Sequence, residues 1–259
     1  MRLVDAFRFH GTAADEAGLL DLPLGKFESA VRELPGEGVS HALVALFDAR
    51  LCRPEMAPLL AGNGALSFTV MPPLDDDAGP KIVQGAADIG VKGVVFHPYL
   101  QDIGPGKIPV MVELARRASD AGLMIGVCTA YGGRRIFDID PLKAALAVAE
   151  AVTTPVLFNH AGGARVLDAL LIADAFPHIY LETSFSLSYW IGSSIENDMA
   201  FAMRKLGRGR WVFGSDAPFI DQRRAIADHL AFFDRHGFTA TERDEVMGGT
   251  MAQLLGLGQ

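Results

Sequence analysis

Residues 124–160 decide the fold. They read Met124-Ile125-Gly126-Val127-Cys128, a polar stretch to Asp140-Pro141, an Ala- and Leu-rich run to Ala151, and then Pro155-Val156-Leu157-Phe158-Asn159-His160. The first and last runs are short and apolar without alternation, which is the pattern of parallel strands buried on both faces. Between them, Asp140 stands where a helix N-cap belongs, and Pro141 occupies the first helical position. The segment therefore reads as strand, helix, strand.

The same alternation continues outward to both ends. Further strand runs are expected at 3–7, 42–47, 66–71, 93–97, 179–183 and 210–214. Helices are expected at 26–34, 108–121, 165–176, 195–206, 222–233 and 241–255. Within 26–34 the apolar set Phe27, Ala30, Val31 and Leu34 has helical spacing, and within 108–121 so has Val110, Met111, Leu114, Ala115 and Ala118 before Gly122. The second unit is the thinnest, with only 54–60 as a helical stretch. Asp75-Asp76-Asp77 reads as a solvated turn, and 184–190, with Phe185, Tyr189 and Trp190, as a loop over the site or an oligomer contact. Eight strand–helix units in an uninterrupted chain predict an α/β fold, a single (β/α)8 barrel occupying residues 1–259 as one domain. A doubly wound sheet would want a glycine-rich phosphate loop after an early strand, and 4–11 holds a single glycine.

Composition narrows the partners. The 259 residues are 50% hydrophobic and 21% charged, enough for a sizeable core and too apolar for a disordered chain. A formal charge of −8, from 31 acids against 23 bases, repels phosphate backbones and argues against nucleic acid. Two cysteines, Cys52 and Cys128, make no disulfide framework. No apolar run approaches the roughly 18 residues of a membrane span, and the first residues carry no signal-peptide pattern. The expectation is a cytoplasmic protein acting on a small molecule, without a membrane partner and with homo-oligomerisation open.

A barrel builds its active site at the C-terminal ends of its strands. The polar residues there are Asp5, Arg8 and His10, then Asp48, then His97, Tyr99 and Gln101, then Cys128 and Thr129. Asn159 and His160, Glu182 and Thr183, and Ser215 and Asp216 complete the set. His41, His178, His229 and His236 fall elsewhere and read as structural or solvated.

Val94-Val95-Phe96-His97-Pro98, Asn159-His160-Ala161-Gly162-Gly163, Tyr180-Leu181-Glu182-Thr183-Ser184 and Gly214-Ser215-Asp216-Ala217-Pro218-Phe219 resemble the amidohydrolase superfamily. The branch concerned contains aminocarboxymuconate-semialdehyde decarboxylase, resorcylate-type decarboxylases and pyrone-dicarboxylate lactonase. The resemblance runs over nearly the whole chain and implies a barrel hydrolase or C–C lyase, usually with a divalent metal. That metal motif is altered here. The first strand of the family reads Asp-x-His-x-His, whereas this chain has Asp5-Ala6-Phe7-Arg8-Phe9. The fifth-strand histidine is replaced by Cys128, while His160 and Asp216 match.

No tightly bound metal is therefore expected; zinc or manganese would have to use His97, Cys128, His160 and Asp216. The acid–base work falls to Asp216 as general base and His160 as general acid or oxyanion partner, with His97 orienting substrate. Arg8 and Arg134 are candidates for holding a carboxylate, and Tyr99, Cys128 and Trp190 for lining the substrate. The implied reaction is hydrolysis or C–C cleavage of a small carboxylated cyclic or aromatic metabolite. Two alternatives are a catalytically lapsed barrel that binds a ligand or partner, and a metal-dependent enzyme with a rearranged site.

Overall fold

Parallel pairing runs unbroken through eight strands in chain order: β1 (Val4–Phe9), β2 (His41–Leu46), β3 (Leu66–Val70), β4 (Gly93–Phe96), β5 (Met124–Cys128), β6 (Val156–Asn159), β7 (Ile179–Glu182) and β8 (Trp211–Val212). The computed structural model describes residues 2–9, 31, 34, 36, 38–52, 54–60 and 64–258. The predicted helix 26–34 and His10 lie outside the described residues, apart from Val31 and Leu34, which are buried.

β8 has only two ladder residues, yet the chain beyond it closes the barrel. Ala6 N–H donates to the Phe213 carbonyl (2.8 Å), Asp216 N–H to Phe7 (3.0 Å), and Phe9 N–H to Ala217 (2.8 Å). Asp5 locks this seam from the side: its carboxylate accepts from Ser215 N–H (2.8 Å), Ser215 Oγ (2.6 Å) and Gln222 Nε2 (2.8 Å). The fold is a (β/α)8 barrel.

Strand periodicity sorts the interior into two layers. Val4, Ala6, Leu43, Met124, Leu157 and Val212 fill the lower one. Phe7, Phe9, Ala45, Phe47, Met71, Val95 and Cys128 form the upper one, beneath the mouth. The register of β1 against β2 shifts between Asp5 and Arg8. This irregularity is how the neighbours Ala6 and Phe7 both join the interior. Residues on the opposite faces, such as Val44, Val94, Ile125 and Phe158, meet the surrounding helices in the main core. Each such side chain contributes roughly 1.5–3 kcal/mol by leaving water.

Most predicted helices are present within a residue or two: Ile108–Asp120, Pro141–Ala151, Val166–Ala175, Ser194–Leu206 and Gln222–Arg235. Asp140 caps as expected, accepting from Lys143 N–H at 3.1 Å. The second unit is thin here too, with only Ala57–Leu60 in α-helix. Three expectations need correction. Ala78–Asp88 is a helix that sequence reading passed over. Gly79, Pro80 and Gly85 disguise it, but Pro80 falls in the first turn, where its missing N–H costs nothing. Asp75–Asp77 is the exposed turn expected, and Asp75 also accepts from Ala78 and Gly79 at the start of this helix. The segment after β7 is not all loop, because Ser186–Trp190 is a short helix. Finally, 241–255 is broken into Ala240–Asp244, a π turn at Glu245–Gly249, and Thr250–Leu254. The break brings Gly248 against the start of β1, where a Cβ would lie 2.0 Å from the Arg2 carbonyl oxygen. Among the described residues, no helix is long and apolar enough to cross a membrane.

Candidate active site

At the barrel mouth lies a cavity of about 260 Å3 lined by His97, His160 and Asp216 with Phe9, Phe47, Leu100, Phe185 and Phe219. The aromatic side chains pack edge to face. Phe9 stands 4.8 Å from Phe47 and 5.3 Å from Phe219, and Phe7, just below, stands 5.4 Å from the His160 ring. The phenylalanines at the two first-strand positions thus make the mouth apolar.

Backbone strain gathers here. Among the described residues five other than glycine have positive φ, and three of them, His160 (66°), Phe185 (55°) and Asp216 (62°), line this cavity. Such conformations cost of order 1–3 kcal/mol each and concentrate at functional sites. His160 begins a tight turn in which Ala161, Gly162 and Gly163 also have positive φ. Thr129 ties that turn down, accepting from Gly162 N–H (2.8 Å) and donating to the Asn159 carbonyl (2.7 Å).

The two imidazoles are held in opposite tautomers. His160 Nδ1–H faces the Ser184 carbonyl at 3.1 Å and Ser184 Oγ at 3.0 Å, which leaves Nε2 with a lone pair. His97 Nδ1 instead accepts from Leu100 N–H at 3.2 Å, which leaves its Nε2 carrying hydrogen. Burial holds both rings neutral: His160 is lowered to about 4, and His97 is pushed down further by burial and by His160. One ring is a base and the other a donor.

Two buried carboxyls belong to the same surroundings: Asp216 lines the cavity and Glu182 accepts from His160 N–H. Burial first, then the charges of Glu182 and Asp5, raise Asp216 well above the ordinary carboxylate range. Its Oδ1 is buried with no hydrogen-bond partner among the described residues. Burial also lifts Glu182 to about 8, against the opposing pull of bonds from Ser184 Oγ (2.7 Å), Ser184 N–H (2.5 Å) and His160 N–H (3.2 Å). Glu182 belongs to this network although sequence reading left it among the unassigned strand ends. Its position at the end of β7 was the available signal; its bonds to Ser184 and His160 depend on how the strand ends come together.

The structure brings His97, His160 and Asp216 to one cavity, whereas Arg8, Tyr99, Cys128, Arg134 and Trp190 do not line it. Cys128 lies in the upper interior layer with Phe7 and Phe9. Burial, then Asp216 and Glu182, push its thiol well above its usual range, so it stays protonated and unreactive. Arg8 is buried beside Asp5, whose charge offsets part of its desolvation. Tyr99 is half-buried and accepts from Gly132 N–H at 3.4 Å. Arg134 is exposed on the loop after β5, and Trp190 packs half-buried against the outer core, edge-on to Tyr189 at 4.9 Å.

A metal fits this donor set poorly. Among the described residues, no three His, Cys, Asp or Glu side chains are gathered to hold one. The first-strand side of the mouth offers hydrocarbon, with Phe7 and Phe9 where a pair of ligands would have to stand.

His97, His160 and Asp216 thus stand together at the strand ends of a (β/α)8 barrel. The amidohydrolase family model matches residues 59–257, and the chain belongs to that family, a family of hydrolases and decarboxylases. No curated protein matches its sequence. Solved structures share the fold at low identity. One from Acinetobacter baumannii, designated a probable 2-pyrone-4,6-dicarboxylic acid hydrolase and holding citric acid, is 13% identical with a TM-score of 0.66, covering 99% of this chain and 100% of its own. A dihydroxybenzoic acid decarboxylase from a Polaromonas species, with manganese and 2-nitroresorcinol bound, is 13% identical with a TM-score of 0.63, covering 100% and 98%. The 5-carboxyvanillate decarboxylase of Sphingomonas paucimobilis is 14% identical with a TM-score of 0.64, covering 99% of each chain.

Proposed function

We propose that this amidohydrolase acts on a small carboxylated cyclic or aromatic metabolite, by hydrolysis or C–C cleavage, without a tightly bound metal. The observation that carries the reading is the pairing of Asp216 and His160 in one ring-walled cavity. A volume of about 260 Å3 falls just below the roughly 300–1,000 Å3 of drug-sized pockets, and suits a single ring. The solved relatives named above include two whose names give aromatic carboxylic acids and one a pyrone dicarboxylate.

We read the resting protons in the reverse of the expected roles: burial favours the proton on Asp216, and the Ser184 contact at Nδ1 leaves His160 Nε2 with a lone pair. In hydrolysis, His160 takes a proton from water as the water oxygen attacks the carbonyl, and Asp216 gives its proton to the leaving oxygen. In decarboxylation, Asp216 delivers that proton to the ring carbon as carbon dioxide departs. His97 donates from Nε2 to a substrate oxygen in either case. Two buried free thiols, Cys52 and Cys128, support a reducing, cytoplasmic setting.

Screening lactones, aryl carboxylates and acyl amides with the parent protein and Asp216→Asn tests this reading. Turnover by the parent that Asp216→Asn abolishes is expected. Ligand binding without turnover in the parent, unchanged in Asp216→Asn, would instead establish a binding protein.

A further inference from the structure

A second cavity, also of about 260 Å3, lies on the other side of Phe47, which lines both. Its walls are mainly apolar, from Ala49, Met71, Pro72 and Leu74. The polar groups bordering it have partners. Gln101 Oε1 accepts from His97 N–H (2.9 Å), and its Nε2 donates to the Pro72 carbonyl (2.7 Å). Lys107 Nζ donates to the Gln101 carbonyl (2.9 Å) and pairs with Asp102 at 3.7 Å.

Phe47 follows β2 directly and is 3% exposed. Its ring meets Phe9 edge to face at 4.8 Å and His97 at 5.8 Å. These two edge-to-face contacts favour the position in which the ring borders both cavities. Removing it would join the two spaces and roughly double the volume open to a ligand.

We propose that Phe47 sets the size of substrate this enzyme accepts, by separating the catalytic cavity from an apolar subsite that would take an alkyl or second-ring substituent. The proposal rests on reading the first cavity as a site for small carboxylated rings. It adds that single-ring acids fit because of one side chain.

Isothermal titration with benzoate and its three monobutyl isomers tests this, using the parent protein, Phe47→Ala, Phe47→Leu and Phe47→Ala/Leu74→Trp. Each buried methylene is worth a few-fold in affinity, so at least one isomer should bind Phe47→Ala about tenfold or more tighter than the parent. Benzoate, which loses the Phe47 ring as a wall and gains no substituent contact, should bind Phe47→Ala no tighter than the parent. Leu74→Trp, which fills the second cavity, should remove the gain. Phe47→Leu preserves most of the packing and should show a smaller gain of the same kind, including where Phe47→Ala folds poorly.

No gain for any isomer in either variant would overturn the proposal, as would a gain that survives Leu74→Trp. The expected gains with no turnover of any substrate would overturn the acid–base reading and leave the partition standing. Failure of every acid to bind all four proteins would overturn both.

Discussion

Ser184 holds His160 through two atoms at once, with its carbonyl oxygen 3.1 Å and its Oγ 3.0 Å from the same Nδ1. The carbonyl alone is enough to fix the tautomer, and the hydroxyl passes the contact on to Glu182 at 2.7 Å. Ser184→Ala should therefore keep the tautomer and lose only the link to Glu182. We expect kcat/KM to fall about tenfold, the loss of roughly one hydrogen bond's worth of positioning, with KM little changed. Steady-state kinetics separates the two constants.

Asp216→Asn should abolish turnover without costing stability. Burial disfavours a charge on the Asp216 carboxyl, and the substitution puts a neutral group of nearly the same shape in its place. Removing a general acid costs about 10²–10⁴-fold in rate. Thermal melts at pH 7.5 should show a Tm equal to or above the parent's. A large fall in Tm would mean that Asp216 carries a structural charge.

Stability should fall as pH rises from about 6.5 to 8.5. Glu182 is raised to about 8 from an ordinary 4.5, so the folded state binds more protons than the unfolded chain between those values. That contribution is fully present below 4.5 and is lost as pH climbs through 8. His160 acts oppositely: lowered to about 4, it costs stability as pH falls below 6.5, and so leaves the upper window alone. One such proton is worth at most about 1.4 kcal/mol per pH unit. Glu182→Gln should flatten the slope of Tm against pH above 6.5.

Chelation should leave activity intact. Dialysis against a strong chelator removes adventitious ions, and elemental analysis of active protein should give well under one equivalent of zinc or manganese. A stoichiometric metal lost in His160→Ala would restore the metal-dependent alternative.

Asp5→Ala should destabilise the barrel by about 3 kcal/mol or more, because three donors lose their acceptor at a cost of roughly 1–3 kcal/mol for each buried group. Urea denaturation measures it. Gly248→Ala should do comparable harm for a different reason, since its new methyl would meet the Arg2 carbonyl oxygen.

Much of the barrel was legible along the chain because strands buried on both faces declare themselves locally. Residues 124–128 and 155–160 need no partner to be read as strands. The helix Ala78–Asp88 was not legible, since Gly79, Pro80 and Gly85 argue against it and its stability comes from Val83 and Ala86 buried in the core. The presence of His97, His160 and Asp216 in one cavity could be anticipated from strand ends alone. Their charge states could not, because burial and the neighbours Glu182 and Asp5 come from distant segments. Phe47 carried no chemical signal at all; only the cavities on either side give it a role.

The seam between β1 and the run after β8 has one more consequence. Asp216 helps to close the barrel with its backbone N–H and lines the cavity with its side chain, so one residue belongs to both the seam and the proposed site. A ligand resting on that carboxyl would act as a rivet across the joint. Its occupancy should be readable as slower amide exchange at Ala6, Phe9 and Asp216, a clamp on the whole cylinder applied from its rim.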